Sequence, residues 1–364
     1  MTLQSKKLPG RPRKHLSSTA GLLSSGALPP PDHDSTAHIK ADDSSINMEH
    51  LQIFHHYSIS TCKSLSSDPS ATEMFRVELP QMANEQPFIM HLIMALSSRH
   101  LQFLTSEKSK KTHYANFAEN QFSAALPKLR QSLAHLDEKS SQALYISSLL
   151  VCWYVFARGP SPGDYLLFSD DVPLIWFPLL RGVRHIRELG HSDSSSNTAA
   201  SPNSGVQFPK ADGPVVNSGN TKRVNWETHF REFTAFVAST APATCVEIYL
   251  VALTRLKRHY EATYGDDENG SYNGNKVHQM IFQWLYLMEE DFIDRVQRRN
   301  PHALLIVANF SVLLSTYDSL GCWFLRGWGK HILNGIYNSL ESNYQSWMRW
   351  PMEAADIDWS ALSP

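Results

Sequence analysis

An apolar run near the end of the chain, Pro301-His302-Ala303-Leu304-Leu305-Ile306-Val307, decides the fold class. Asn300 and Pro301 are a typical N-cap and first-turn pair, so the run predicts a helix over residues 301–317. Two aromatic segments follow it, Trp323-Phe324-Leu325-Arg326-Gly327-Trp328-Gly329-Lys330-His331 and Trp347-Met348-Arg349-Trp350-Pro351. We expect Gly327-Trp328-Gly329 to turn the chain into a last helix over residues 330–342.

The same helical pattern extends upstream. From Met48 onward the apolar residues recur at helical spacing, and there is almost no period-two alternation of the kind that predicts strands. One predicted helix starts at Pro87, and the next contains Tyr114, Phe117 and Phe122 and ends at Pro127. Another covers residues 143–157, and a further one runs from about Pro173 to Gly190. The remaining predicted helices cover residues 226–240, 243–264 and 275–298. We expect the helix over 143–157, apolar on nearly every side, to lie at the centre of the packing, and Arg158-Gly159-Pro160 to end it. The sequence therefore predicts an all-α protein, a single multi-helix bundle or array.

Composition divides the chain into four parts. Residues 1–46 are rich in Ser, Pro, Gly, His and Asp and have few large apolar side chains, so they predict a disordered tail. Residues 191–222 have a similar Ser, Asn, Gly and Pro composition and predict a flexible insertion. We expect residues 47–190 and 223–357 to form the two halves of one helical domain.

Charge and hydropathy narrow the class of protein. The formal net charge is -2, which argues against a body covered in nucleic acid, because such proteins carry an excess of Lys and Arg. The basic start of the chain is not followed by an apolar core, so it does not resemble a secretory signal. The longest apolar run is far shorter than the roughly 20 residues of a membrane span. We therefore expect a soluble protein of the cell interior.

A second block of motifs lies in the first half of the chain. It consists of His55-His56-Tyr57, Ser60-Thr61-Cys62, Leu79-Pro80-Gln81-Met82-Ala83 and Pro87-Phe88-Ile89-Met90-His91-Leu92-Ile93-Met94-Ala95-Leu96-Ser97-Ser98. Together with the two aromatic segments, this block resembles the regulatory domain of fungal zinc-cluster transcription factors, the sterol uptake control regulators in particular. The resemblance runs through most of residues 48–357. It implies a helical regulatory domain in the nucleus, other transcription regulators as partners, and a sterol or lipid as ligand.

The DNA-reading module of that family is not found in the sequence. In the family, six closely spaced Cys hold a pair of zinc ions, because the metal needs thiolates at bond length in a tetrahedral shell. This chain has four Cys, Cys62, Cys152, Cys245 and Cys322, and they are scattered. We expect either a regulatory domain that has lost its DNA reader or a chain shortened at its start.

Trp323, Phe324 and Trp328 are the candidate ligand-binding residues. With Phe282, Trp284, Tyr286 and Met288 upstream they could wall a pocket for a flat lipophilic ligand, since ligand pockets between helices are mostly apolar. The resemblance to sterol-binding regulators favours that interpretation. The alternative is ordinary core packing, which is commoner for any single aromatic residue.

The basic segment near the start is a candidate for contact with DNA. Lys6, Lys7, Gly10, Arg11, Pro12, Arg13 and Lys14 belong to a segment that resembles an AT-hook, whose arginines reach into the minor groove. Pro9 stands where that motif has an arginine, which predicts weak binding. The alternatives are a nuclear-import signal and a solvated basic tail.

Catalytic and metal-binding motifs are not found. The sequence has no His-Glu-x-x-His pair, no Gly-x-Ser-x-Gly elbow, no phosphate-binding Gly loop and no dinucleotide fingerprint. We therefore expect no enzyme, no metal and no cofactor other than a lipophilic ligand.

These observations lead to two hypotheses. The first is a fungal transcriptional regulator or co-regulator that senses a sterol-like or other lipophilic ligand, with control of a metabolic gene cluster as a further expectation. The second is a ligand-free helical scaffold that titrates a full-length relative.

Overall fold

The computed structural model describes residues 47–66, 72–134, 138–170, 224–265 and 279–357. They belong to one compact unit, Asn47–Pro364. Within these ranges the secondary structure is helical and there is no strand, which confirms the all-α prediction. The expected tail over 1–46, the insertion over 191–222 and the helix from Pro173 to Gly190 lie outside the described residues, so the four-part division stays a prediction.

Twelve helices longer than one turn are present in the described ranges. They are α1 (Met48–His56), α2 (Leu79–Glu85), α3 (Pro87–Leu104), α4 (Lys108–Ala134), α5 (Glu138–Arg158), α6 (Glu227–Thr240), α7 (Val246–Tyr264), α8 (Gln279–Leu287), α9 (Glu290–Gln297), α10 (Pro301–Ser319), α11 (Trp328–Ser339) and α12 (Arg349–Ala354). Shorter pieces are two π-helical segments, Tyr57–Thr61 and Met74–Glu78, two 3-10 segments, Trp323–Leu325 and Ser346–Met348, and single turns at Cys62–Ser64 and Ser342–Gln345.

Helices α3 and α4 pack against each other across a short connection and form a helical hairpin. Pro87 is in the first turn of α3, where a missing N–H costs nothing. Between the two helices, Nη2 of the buried Arg99 donates to Glu119 Oε2 at 2.8 Å and to the Tyr154 hydroxyl at 3.0 Å. This ion pair and hydrogen bond tie α3, α4 and α5 together.

The predicted end of α4 at Pro127 is wrong, because the helix continues to Ala134. A proline inside a helix removes one hydrogen bond and crowds the carbonyl four residues back. Here that carbonyl belongs to Ser123, and both Ser123 and Pro127 are exposed. We infer that water can satisfy the freed carbonyl, which lowers the cost of continuing the helix.

Two helices are the most deeply buried in the described part of unit Asn47–Pro364. α5 is buried through Leu149, Leu150, Trp153 and Phe156, as predicted, and it ends at Arg158 before Gly159. α10 is buried on every side along its length, from His302 to Leu314. At about 25 cal/mol per Å² of apolar surface removed from water, such central helices supply a large share of the stabilising free energy.

One predicted helix over 275–298 is wrong, because the structure has two helices there. α8 ends at Leu287 and α9 begins at Glu290, whose preceding residue Glu289 has an extended backbone, with ψ at 149°. The guanidinium of Arg255 in α7 donates to the Leu287 carbonyl and, at 2.8 Å, to Glu289 Oε1. A partner from another helix therefore satisfies the carbonyl that the break exposes.

The last predicted helix, 330–342, is also misplaced. Gly327 is the N-cap of α11, which covers Trp328–Ser339, and it is followed by the turns and short helices that end in α12. Trp347 and Trp350 of this closing segment pack on α6, where the Trp350 ring lies parallel to that of His229 with centroids 4.0 Å apart. None of the described helices is both long enough and apolar enough to span a bilayer.

Candidate functional site

The turn between α10 and α11 positions two of the three candidate ligand residues and begins the helix that carries the third. The chain leaves α10 at Ser319, makes a 3-10 turn at Trp323–Leu325 and enters α11 at Trp328. Gly327 has φ of 78°, in the left-handed region, where a residue without a side chain is favoured. Its N–H donates to Asp318 Oδ2 at 2.9 Å, which closes the turn. We refer to residues 320–329 as the Trp323 turn.

Trp323 contacts the first half of the chain. Its ring stacks on His100 of α3, with centroids 4.6 Å apart and planes 20° apart. Its Nε1–H donates to Ser64 Oγ at 3.0 Å, and the Ser64 hydroxyl in turn donates to the Thr61 carbonyl at 2.7 Å. The side chain is 8% exposed. The Trp323 ring therefore joins residues that are more than 250 positions apart in sequence.

Polar groups line the inner side of this contact. His100 Nδ1 lies 3.0 Å from Thr61 Oγ1 and 3.3 Å from His56 Nε2. Burial lowers the pKa of His100 to about 4, and the nearby His56 is a smaller cause of the same shift. Burial also lowers the pKa of His56. His100 is consequently neutral at physiological pH, and its ring can accept a hydrogen bond from Thr61.

Trp328 contacts a different part of the core. Its Nε1–H donates to the Phe156 carbonyl at the end of α5, at 2.8 Å, and its ring meets the Phe156 ring edge to face. The next residue, Gly329, lies against α10, where an added Cβ would be 2.6 Å from the Ser311 carbonyl oxygen and 2.8 Å from the Ser315 nitrogen. Close approach of two helices therefore requires glycine at this position.

The three candidate residues thus lie together in sequence but contact two different parts of the protein. Trp323 faces α3 and the turn at Ser64, Trp328 faces α5, and the buried Phe324 meets the Trp323 ring edge to face at 5.5 Å. Both indole N–H groups already have partners in the protein. A ligand at this place would have to displace one of the rings.

A crevice lies elsewhere, beside the break between α8 and α9. Its volume is about 10 Å³, which is room for about one water molecule and too little for a drug-sized ligand. Trp284 and Met288, which the sequence groups with the candidate pocket, line this crevice together with Ile248 and Phe292. The structure therefore separates Trp284 and Met288 from the Trp323 turn. The side chain of Phe282 lies outside the described residues.

The remaining candidate residues are the basic segment near the start of the chain and the possible metal ligands. The basic segment Lys6, Lys7, Gly10, Arg11, Pro12, Arg13 and Lys14 lies outside the described residues. In the described part of the chain, no group of three or more His, Cys, Asp or Glu side chains is arranged to hold a metal ion. The four Cys are free, and Cys62 and Cys152 are buried.

Sequence reasoning missed the partners of the tryptophans. Ser64, His100 and the Phe156 carbonyl have no pattern that links them to residues 323 or 328. His100 is one of several helical His residues, and only the fold distinguishes it. A carbonyl acceptor leaves no sign in the sequence at all.

The chain is similar to known transcription factors. A family model described as "Fungal specific transcription factor domain" matches residues 52–288. A relative from Gibberella zeae, a "Zn(2)-C6 fungal-type transcription factor", is 23% identical over 343 residues, which are 88% of this chain and 64% of that protein. "Sterol uptake control protein 2" of Saccharomyces cerevisiae is 22% identical over 294 residues, 78% of this chain and 29% of that protein.

A third relative carries the same name. "Sterol uptake control protein 2" of Candida albicans is 22% identical over 302 residues, 78% of this chain and 39% of that protein. This chain therefore spans less than two thirds of the length of each of these three relatives. The matched family is a transcription factor domain and the Gibberella zeae relative is named a transcription factor; neither is an enzyme.

Proposed function

Because this chain belongs to the fungal-specific transcription factor domain family, we propose that it acts in the nucleus as a regulator of transcription. The observation that carries the proposal is the family match over residues 52–288, which covers more than half of the chain. The helical unit is the part that receives a regulatory signal and presents a surface to other regulators. Control of a metabolic gene cluster is part of the same proposal.

The regulatory signal, in this proposal, is a sterol-like or other lipophilic ligand. The names of two relatives and the aromatic rings of His100, Phe103 and Phe324 around Trp323 support it. A ligand can shift the protein only if it binds one conformation better than another. The candidate mechanism is displacement of the Trp323 ring, which would uncouple α3 from the turn before α11.

Contact with DNA is assigned to two routes. One is the basic segment from Lys6 to Lys14, whose phosphate contacts would be weak and sensitive to salt. The other is recruitment by a partner regulator that has its own DNA-binding module. The same basic segment would serve nuclear import.

Thermal unfolding with and without sterols tests the ligand proposal. A ligand that binds only the folded state at 100 times its dissociation constant adds about 2.7 kcal/mol of stability and must raise the midpoint. We expect ergosterol or a related sterol to raise the midpoint of the full chain, and Trp323→Ala to enlarge the shift, because the ligand no longer has to displace the ring. Trp226→Phe, a buried aromatic change away from the turn, serves as the control.

The alternative is a ligand-free scaffold that titrates a full-length relative. Closed packing around Trp323 and Trp328 favours this second candidate, since both indole N–H groups are bonded within the protein. If no sterol or lipid shifts the midpoint, and the chain co-purifies with a zinc-cluster relative, the scaffold is the better account.

A test of location is independent of the ligand. We expect a fluorescent fusion of the full chain to accumulate in the nucleus, and replacement of Lys6, Lys7, Arg11, Arg13 and Lys14 by Ala to spread it into the cytoplasm. Accumulation outside the nucleus of the unaltered chain would contradict the proposal.

A further inference from the structure

An exposed apolar surface lies at the outer edge of the Trp323 turn. It consists of Phe103 and Leu104 at the end of α3 and Arg326 in the Trp323 turn, and we name it the Phe103 surface. The Phe103 and Leu104 side chains are 39% and 56% exposed. Phe103 lies 5.9 Å from the Trp323 ring, centroid to centroid, and the Arg326 guanidinium carbon lies 5.7 Å from the Phe103 ring centroid.

Exposed lysines lie close in sequence to this surface and to the hydrogen-bond partner of Trp323. Lys108 and Lys111 begin α4, directly after the three-residue connection that follows Leu104, and both are exposed. Lys63 is also exposed and precedes Ser64, the acceptor of the Trp323 N–H. The ion pairs among the described residues include none that involves Lys63, Lys108, Lys111 or Arg326.

The nearby carboxylates already have partners. Glu107 is held by Lys110 at 2.8 Å and by the Ser109 hydroxyl at 2.5 Å, and Asp318 accepts the Gly327 N–H. The surplus of positive charge is local, because the whole chain has a net charge of -2. The surface therefore combines exposed apolar side chains with cations that form no ion pair with another described residue.

We propose that the Phe103 surface binds an acidic peptide segment that carries aliphatic or aromatic side chains, supplied by a partner regulator. Exposed apolar side chains can bury such anchors, and aromatic residues and arginine are both enriched at protein interfaces. Acidic residues alternating with apolar ones are the composition of disordered activation segments. The identity of the partner as a regulator rests on the proposed function, whereas the preference for an acidic apolar peptide follows from the surface alone.

The observations favour a peptide over a nucleic acid. Phosphate contacts need cations but do not bury aliphatic side chains on the protein. DNA or RNA on this surface would leave Phe103 and Leu104 exposed. A peptide with both acidic and apolar side chains matches both features.

Fluorescence anisotropy with the full chain tests the proposal. The probe is a labelled 12-residue synthetic peptide in which Asp and Glu alternate with Leu, Phe and Trp. We expect saturable binding that weakens as salt rises. We expect the paired change Phe103→Ser with Leu104→Ser to weaken it about tenfold, and Arg326→Glu to weaken it about fivefold.

Matched variants elsewhere on the surface control for these changes. Met48→Ser with Leu51→Ser removes two exposed apolar side chains from α1, and Arg130→Glu makes the same change of charge on α4. Both should bind the probe as the unaltered chain does. Because every altered residue is exposed, we expect the thermal midpoint to stay within a few degrees in each variant.

Four results would overturn the proposal. They are no binding of the probe, equal binding of its Asn and Gln version, equal losses in the control variants, and full competition by a DNA duplex at equal charge concentration. Each is read from a binding curve and does not require the chain to regulate transcription. If the chain proves not to regulate transcription, the binding measurement can still be interpreted. If the probe does not bind, the proposed function can still be tested.

Discussion

The absence of a side chain at Gly329 allows helices α10 and α11 to lie close together. A Cβ at this position would meet backbone atoms of Ser311 and Ser315, which cannot rotate away as a long side chain can. Forcing extra volume into such a contact typically costs 1–3 kcal/mol.

We expect Gly329→Ala to lower the free energy of unfolding by about 2 kcal/mol, although alanine is the better helix former. Urea unfolding followed by circular dichroism measures the change. Asn334→Ala, on the exposed side of α11, is the control and should be neutral or slightly stabilising. Equal effects of the two substitutions would show that the approach of α10 and α11 does not limit stability.

The hydrogen bond from Trp323 to Ser64 gives a second prediction at this scale. Trp323→Phe keeps a ring against His100 but removes the N–H, and Ser64→Ala removes the acceptor. A double-mutant cycle isolates their interaction, which we expect to be about 1 kcal/mol, the net value of a typical hydrogen bond. Strictly additive losses of stability would mean that the bond contributes nothing.

At the scale of the elements, the break between α8 and α9 depends on a neighbour. Arg255 satisfies the Leu287 carbonyl and binds Glu289, so the two helices stop and restart around its guanidinium. The sequence contains no Pro or Gly between 285 and 299 to mark such a break.

We expect Arg255→Ala to speed amide hydrogen exchange in residues 286–291 by about fivefold, because the exposed carbonyl and the extended Glu289 lose their partner. Mass spectrometry of the exchanged protein measures this. Lys257→Ala, two residues on and exposed, should leave the same amides unchanged. If both variants exchange alike, Arg255 does not hold the break.

Helix existence could be predicted from the sequence, whereas some helix ends could not. Apolar periodicity and Pro87 or Pro301 at first turns identified α3, α5, α6, α7 and α10. The end of α4 and the break after α8 were missed for opposite reasons. Helix α4 continues past Pro127 because Ser123 and Pro127 are exposed to solvent. Helix α8 stops at Leu287 because Arg255 of another helix binds the carbonyl that the break exposes. Solvent exposure and a partner from another helix both depend on the tertiary structure.

At the scale of the whole molecule, buried histidines couple stability to pH. Burial lowers the pKa of His100, His229 and His259 from 6.5 to about 4 each. Between these values the unfolded chain binds protons that the folded chain does not. Stability is therefore fully present above pH 6.5 and is lost as the pH falls toward 4.

We expect the free energy of unfolding to fall between pH 6 and pH 5, each buried histidine contributing up to about 1.4 kcal/mol per pH unit. Urea unfolding at several pH values measures the slope. His229→Gln should reduce it, while His55→Gln, at an exposed position, should not. A slope that is the same in all three proteins would rule out the buried histidines as its source.

The family could be predicted from the sequence motifs, but the contacts of the candidate site could not. Trp323, Phe324 and Trp328 were identified as a group, yet their partners come from distant parts of the chain, and the two indoles face different helices. The periodicity of apolar residues predicts which residues are buried. It does not say whether a buried ring fills the core or gives way to a ligand.

In the proposed function, this helical unit regulates transcription. The most direct test fuses the full chain to a heterologous DNA-binding domain and measures transcription from a reporter that carries its site. We predict that the fusion changes reporter transcription at least severalfold relative to the DNA-binding domain alone. A folded, nuclear fusion that occupies the site and leaves transcription unchanged would contradict the account.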